Sequence, residues 1–236
     1  MAGLAPGLHF WLPNLIAKRT RETVKNKRQA GFSTLEMLIV IAMSVIITAI
    51  AIPQYVRTVA FLRAAGDLRD LNGVTAQAKM RAAAGFTHAR AYIDLTANTY
   101  HLEVWNKTGN GGAGCWQTDG DTANPCTVAA SPVFNLSQGD TFGTGGLAAG
   151  PTVAQQPTIP AQVACQNTNG GNGTIPNTAC IVFNSRGTPI DANGAPLATG
   201  AFYLTNGTVV NGVTVSATGS IQAWTSPVGS ASWRGQ

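Results

Sequence analysis

The sequence predicts an α+β protein, with one long N-terminal helix packed on an antiparallel β-sheet domain. Three observations carry that expectation. Phe32 to Ile52 is an apolar run of 21 residues holding a single charge, Glu36. From Phe61 through Ala65, Leu68, Leu71 and Thr75 to Ala78, small and apolar residues return at three- and four-residue steps, the period of a helix with one buried face. Beyond Gly85 the period drops to two, and Gly- and Asn-rich turns separate short apolar stretches.

The apolar run sets the first element. A helix of its length spans roughly 30 Å, the hydrocarbon thickness of a bilayer. Lys18, Arg19, Arg21, Lys25, Lys27 and Arg28 crowd its N-terminal side, which places that side in the cytoplasm and the remainder outside. A cleaved secretory signal fits less well, because no A-x-A-type site closes the run and the helical pattern continues past it. One helix is therefore predicted from about Thr34 to Ala84, apolar all round at first and amphipathic later. Pro53 is expected to bend or locally open it, and Gly85 to stop it. Arg57, Arg63, Asp67, Arg69, Asp70, Lys79 and Arg81 take much of the remaining surface. Together with Arg90, the basic ones read as a solvated helix face, with lipid headgroups, neighbouring subunits or DNA as the alternative contacts.

Strands are predicted at Ala91–Leu95 and Tyr100–Trp105, joined by a Thr-Ala-Asn turn. Further strands follow at Cys180–Phe183, Ala201–Leu204, Val209–Val215 and Ser220–Trp224. Asn193-Gly194, Asn206-Gly207 and Asn211-Gly212 are hairpin-turn dipeptides. The stretch 106–178 is too long for a plain connection and is expected to hold short strands or a disulfide-stapled excursion. Cys115, Cys126, Cys165 and Cys180 all follow the apolar run, an even number in a region placed outside the cytoplasm. They read as one or two disulfides; Cys115–Cys126 with Cys165–Cys180 is one of three connectivities, and spacing does not choose among them.

Composition narrows the function classes. The 236 residues suit one domain with additions, and only 11% are charged, against loop-forming glycine at 27 positions. The net charge of +5 is confined to residues 1–31, where six basic side chains face one acidic. The rest of the chain is neutral, and after Arg90 only Lys107, Arg186 and Arg234 are basic. A broad nucleic-acid footprint is therefore missing from the C-terminal half.

A glycine precedes the apolar run, and a carboxylate sits five residues beyond it, inside what should be hydrocarbon. A charge in a membrane span costs roughly 2.5–3.5 kcal/mol and marks a functional site with a partner. No basic residue lies between Gly31 and Arg57, so the partner of Glu36 must come from another protein or from an amine made by cleavage. The stretch KRQAGFSTLEMLIVIAMSVIITAIAIP resembles the N-terminal signature of type IV pilins and pseudopilins. That resemblance, about 30 residues long, implies cleavage after Gly31 by a prepilin peptidase and N-methylation of Phe32. It also implies that Glu36 pairs with the Phe32 amine of a neighbouring subunit, and that Pro53 marks where the helix melts or bends on assembly. Two opposite charges enter an apolar environment only as a pair, which agrees with that assignment.

Further along, Ile181, Phe183 and Gly187, then Val213, Val215 and Gly219, are similar to recurring strand and hairpin patterns of the FimT/GspH branch of minor pilins and pseudopilins. Some members of that branch bind DNA through basic residues after the final glycine. Here the stretch is Gly219-Ser-Ile-Gln222, without positive charge, which leaves DNA capture at that turn unsupported.

Other motifs carry less. Gly109–Gly114 matches G-x-G-x-x-G but sits in a low-complexity stretch followed by Cys-Trp-Gln-Thr, so it reads as a loop rather than a dinucleotide site. His9, His88 and His101 are dispersed, and no C-x-x-C or H-E-x-x-H spacing suggests zinc. Asp119 and Asp121 lack the glutamate of a calcium loop and read as a solvated acidic turn. No catalytic, metal or cofactor residues are assigned, and no enzyme activity is expected.

The resulting expectation divides the chain into a cleaved basic leader (1–31), a transmembrane and polymerisation half-helix (32–53), an amphipathic half-helix (54–85) and a periplasmic β-rich pilin head (86–236), with an insertion at about 106–178. Its role is that of a minor pilin or pseudopilin in a type IV pilus or type II secretion filament. Its expected partners are prepilin peptidase, other pilin subunits, the inner-membrane assembly platform and, before assembly, membrane lipid. The rivals are a DNA-uptake pilin and a signal-anchored membrane protein with an activity in the 106–178 loops.

Overall fold

The computed structural model describes residues 31–120, 126, 133–147, 150–151, 163–171, 173–197, 199–230 and 232–236. The predicted leader before Gly31, together with His9 and Asp121, lies outside the described residues. A single helix, α1 (Thr34–Ala84), has the predicted bounds. Two compact units divide the chain, one ending at Thr48 and one covering Ala49–Gln236. In the first, every helical residue is exposed, and the helix is long and apolar enough to cross a membrane. Two of its hydroxyls bond back within the helix: Ser44 Oγ donates to the Ile41 carbonyl at 2.8 Å and Thr48 Oγ1 to the Ser44 carbonyl at 2.7 Å. Such back-bonding suits an apolar solvent, where a free hydroxyl would cost several kcal/mol. The expected opening at Pro53 is not seen, as the helical run is unbroken through it. A proline removes one N–H donor, here the bond to the Ala49 carbonyl, and the turns on either side continue the helix.

Two antiparallel sheets form the β portion of the second unit, where a single sheet was predicted. β1 (Ala89–Asp94), β2 (Thr99–Asn106) and β3 (Cys115–Thr118) form a meander. β4 (Phe134–Asn135) adds to β2, β5 (Thr141–Phe142) belongs to the second sheet, and β6 (Thr178–Phe183) returns beside β1. β7 (Pro189–Ile190) closes that first sheet, in the order β3-β2-β1-β6-β7. β8 (Thr199–Thr205), β9 (Val209–Ser216), β10 (Ile221–Pro227) and β11 (Arg234–Gly235) complete the second, in the order β11-β10-β9-β8-β5.

One core serves both sheets. Alternation in β1 turns Ala89, Ala91 and Ile93 inward, and pairing sets Leu102 of β2 and Ile181 of β6 against Ala91. From α1, Leu68, Leu71, Val74, Ala78 and Ala82 enter the same core, which Phe202, Leu204, Val213 and Val215 complete from the second sheet. Alanine at positions 64, 78, 82, 89 and 91 lets helix and sheet approach closely. The buried stripe differs from the predicted one by a small rotation. Ala64 is buried while Phe61 is exposed, and Asp67, expected at the surface, is buried. Asp67 is tolerated there because Ser137 supplies hydrogen bonds from its N–H and its Oγ.

Two further expectations are corrected. Asn211-Gly212 is not a turn but the middle of β9. Asn211 donates from Nδ2 to the Ala64 carbonyl at 3.2 Å, and Gly212 lies under the Tyr203 ring, where an added Cβ would meet Cε1 at 2.9 Å. Glycine is needed here for close approach, not for backbone freedom. Arg90 is not on a solvated helix face: it belongs to β1 and is fully buried.

Candidate functional site

The N-terminal site begins outside the helix. Gly31, Phe32 and Ser33 are non-helical, and the Ser33 Oγ accepts a hydrogen bond from the Leu35 N–H at 3.3 Å, which makes Ser33 the N-cap. Glu36 then falls three residues after the cap, in the first turn, where the helix dipole favours a carboxylate. The S-x-x-E spacing was readable in the sequence and gives Glu36 a local, helix-starting role besides any partner. Phe32 is 77% exposed, and no described cation pairs with Glu36. The structure thus keeps Gly31, Phe32 and Glu36 accessible on one short segment and places Pro53 nearly five turns further along.

The cysteines pair as Cys115–Cys126 and Cys165–Cys180. The second disulfide holds residues 163–171 and 173–175 against the first sheet. Cys180 donates its N–H to the Val163 carbonyl, Ile175 to the Cys165 carbonyl, and Trp116 to the Thr168 carbonyl at 2.7 Å. Beneath this cover lies a polar cluster that sequence reading missed. The pairing of β1 with β2 sets Arg90 opposite Glu103 and Tyr92 opposite His101. Arg90 Nε donates to Glu103 Oε2, its Nη1 donates to the Gln166 carbonyl at 2.8 Å, and His101 Nε2 lies 3.2 Å from Glu103 Oε1.

Burial lowers the Arg90 pKa, against the opposing pull of Glu103. Burial alone would raise the Glu103 carboxyl, but the His101 hydrogen bond and the Arg90 charge outweigh it and hold Glu103 below the usual range. Burial and then Glu103 and Asp94 push the Tyr92 hydroxyl up. The guanidinium carbon also stacks 4.3 Å from the Trp116 ring centroid. The cluster has no exposed member to meet a substrate, and its arrangement is that of a structural ion pair. The only signal in the sequence was two charges at alternate positions of apolar strands.

The Gly219 turn is less bare than its sequence. Lys79 of α1 donates from Nζ to the Gly219 carbonyl at 2.9 Å, and Arg186 lines the same hollow with Met80, Ala83 and Ile221. Gly219 has φ of +77°, and a Cβ there would strike the Gly187 carbonyl oxygen, so the two turns stack backbone on backbone. Of the other motifs, Asn110–Gly112 forms a 3-10 turn that leads into β3, so no helix opens at the G-x-G-x-x-G sequence. Asp119 pairs with Arg81 at 2.7 Å. His88 is exposed, with its pKa lowered by partial burial and by Lys107. Among the described residues no group of three or more His, Cys, Asp and Glu side chains could hold a metal ion. Comparison of the chain with protein-family models, with curated proteins and with solved structures gives no significant match.

Proposed function

We propose that the chain is a pilin-like subunit, cut after Gly31 by a prepilin peptidase, methylated at Phe32, and assembled through its helix into a type IV pilus or type II secretion filament. The observation that carries the reading is the accessible segment Gly31–Glu36 at the start of the exposed apolar run to Ile52, whose one charge, Glu36, has no partner among the described residues. Before assembly the helix spans the inner membrane, with the β-rich portion in the periplasm. In the filament Glu36 meets the Phe32 amine of a neighbouring copy, so that neither charge enters the apolar core alone. The long helix packed on antiparallel sheets is compatible with a pilin-like fold, and two disulfides suit an oxidising compartment.

The test is mass spectrometry of the N-terminal peptide after expression with a prepilin peptidase, in membrane and sheared-filament fractions. The expected peptide starts at N-methyl-Phe32, and Gly31→Leu should leave the leader attached to nearly all copies. Recovery of an intact leader from the unsubstituted chain would sink the reading.

DNA capture is a second reading, favoured by Lys79 and Arg186 beside the Gly219 turn. If it holds, Lys79→Ala with Arg186→Ala should weaken DNA retention and reduce the salt slope by about 2, one for each phosphate contact. Retention unchanged by the pair would discard it.

A further inference from the structure

The segment 133–147 is a strap: β4 joins the first sheet and β5 the second. Between them Ser137 donates to Asp67 of α1 from its N–H at 2.8 Å and its Oγ at 2.9 Å, so both oxygens of that carboxyl are occupied. Asp140 donates its N–H to the Ser137 carbonyl at 3.0 Å, which sets it on the same turn as the anchor of Asp67, and the two carboxyls lie within hydrogen-bond reach. Both residues are buried, at 5% and 6% exposure, and Asp140 Oδ2 receives no hydrogen bond. Two carboxylates held together out of water cannot both be ionised. Asp67 already accepts two hydrogen bonds, which makes it the acceptor and leaves Asp140 to carry the proton and donate it.

We propose that Asp67 and Asp140 form a proton-operated latch that ties the strap to the helix and loosens it as the shared proton leaves. Burial, the hydrogen bond to Asp67 and the charge of Asp67 push Asp140 from an ordinary 3.8 up to about 7. Arg63, one turn before Asp67 on α1, is the cation that opposes this shift. On β2, burial, Asp70 and Asp67 push the Tyr100 hydroxyl up to about 12, so it stays neutral throughout. Asn98 receives the Phe142 N–H on its Oδ1, while Asn206 and Asn211 bond the Ala60 and Ala64 carbonyls. Because the folded pKa is raised, the proton stabilises the closed strap. That stabilisation is complete below the ordinary value and is lost as pH rises to about 7, where it levels off.

Hydrogen exchange of the full-length chain in detergent micelles, read by mass spectrometry on peptides from 133–147 and corrected for intrinsic rates, tests this between about pH 5 and pH 9. Protection of the strap should fall by up to about tenfold per pH unit as far as neutrality and then flatten, while peptides from β9 hold steady. Asp140→Asn, which keeps a neutral donor, should remove the slope. A strap whose protection ignores pH in the unsubstituted chain would overturn the proposal without any variant. The latch is equally ruled out if Asp140→Asn keeps the original slope, or if added Ca²⁺ at neutral pH restores protection as well as acid does.

Discussion

Replacing Arg90 by methionine is expected to destabilise the β portion by about 3–5 kcal/mol, the cost of leaving a buried charge without its partner. Glu103 would lose the guanidinium at its Oε2 and keep only His101, in a site where both side chains of the ion pair are fully buried. The Gln166 carbonyl would lose its donor as well. Replacing both members, Arg90→Met with Glu103→Leu, should recover most of the loss, since the desolvation of two charges disappears along with their attraction. Denaturant unfolding of the full-length chain in micelles, followed by tryptophan emission, measures both, because Trp116 lies under the guanidinium. A single substitution that costs less than about 1 kcal/mol would show that the pair is hydrated. The pH dependence has a definite sign. Glu103 is held below its ordinary value in the fold, so its contribution is complete above that value and is lost on acidification.

Removal of the Cys165–Cys180 bridge is the second large effect. The bridge closes a span of 15 residues, and opening such a loop in the unfolded chain costs about 3 kcal/mol. Its loss should also lift the cover from the first sheet. The Arg90–Gln166 and Trp116–Thr168 hydrogen bonds both depend on residues 165–168 staying in place. Cys165→Ala with Cys180→Ala is therefore expected to shift Trp116 emission to the red even before unfolding, and to lower the unfolding midpoint. An unchanged native emission would mean that the cover is held by its hydrogen bonds alone.

The helix and the longer strands were legible because each has a periodicity that its burial enforces. The Phe32–Ile52 run and Gly85 bracket α1, and the alternate residues Tyr100 and Leu102, and Val213 and Val215, do share the core, although the residues between them are buried on the other face as well. Pairing was not legible, since a period of two says which face a residue occupies but not which strand lies beside it. One sheet was therefore expected where there are two. β3, β4 and β5, with two to four residues each, are too short to carry a period at all. Asn211-Gly212 misled because the same dipeptide that permits a turn also permits close packing, and only the Tyr203 ring distinguishes them. Arg90 read as part of a solvated helix face and Glu103 was given no role, because the burial of both depends on a cover some sixty residues further along the chain. In the N-terminal segment the S-x-x-E spacing that makes Ser33 the helix N-cap was overlooked.

The strap also bears on how the sheets come apart. Five residues separate β4 from β5, so a single short stretch is woven into both sheets and pinned to the helix at Ser137. Neither sheet can shed its partner of this stretch without straining the other. The two layers, joined through one shared thread as well as one shared core, are thus bound into a single cooperative unit, and its cohesion weakens as the proton on Asp140 is withdrawn.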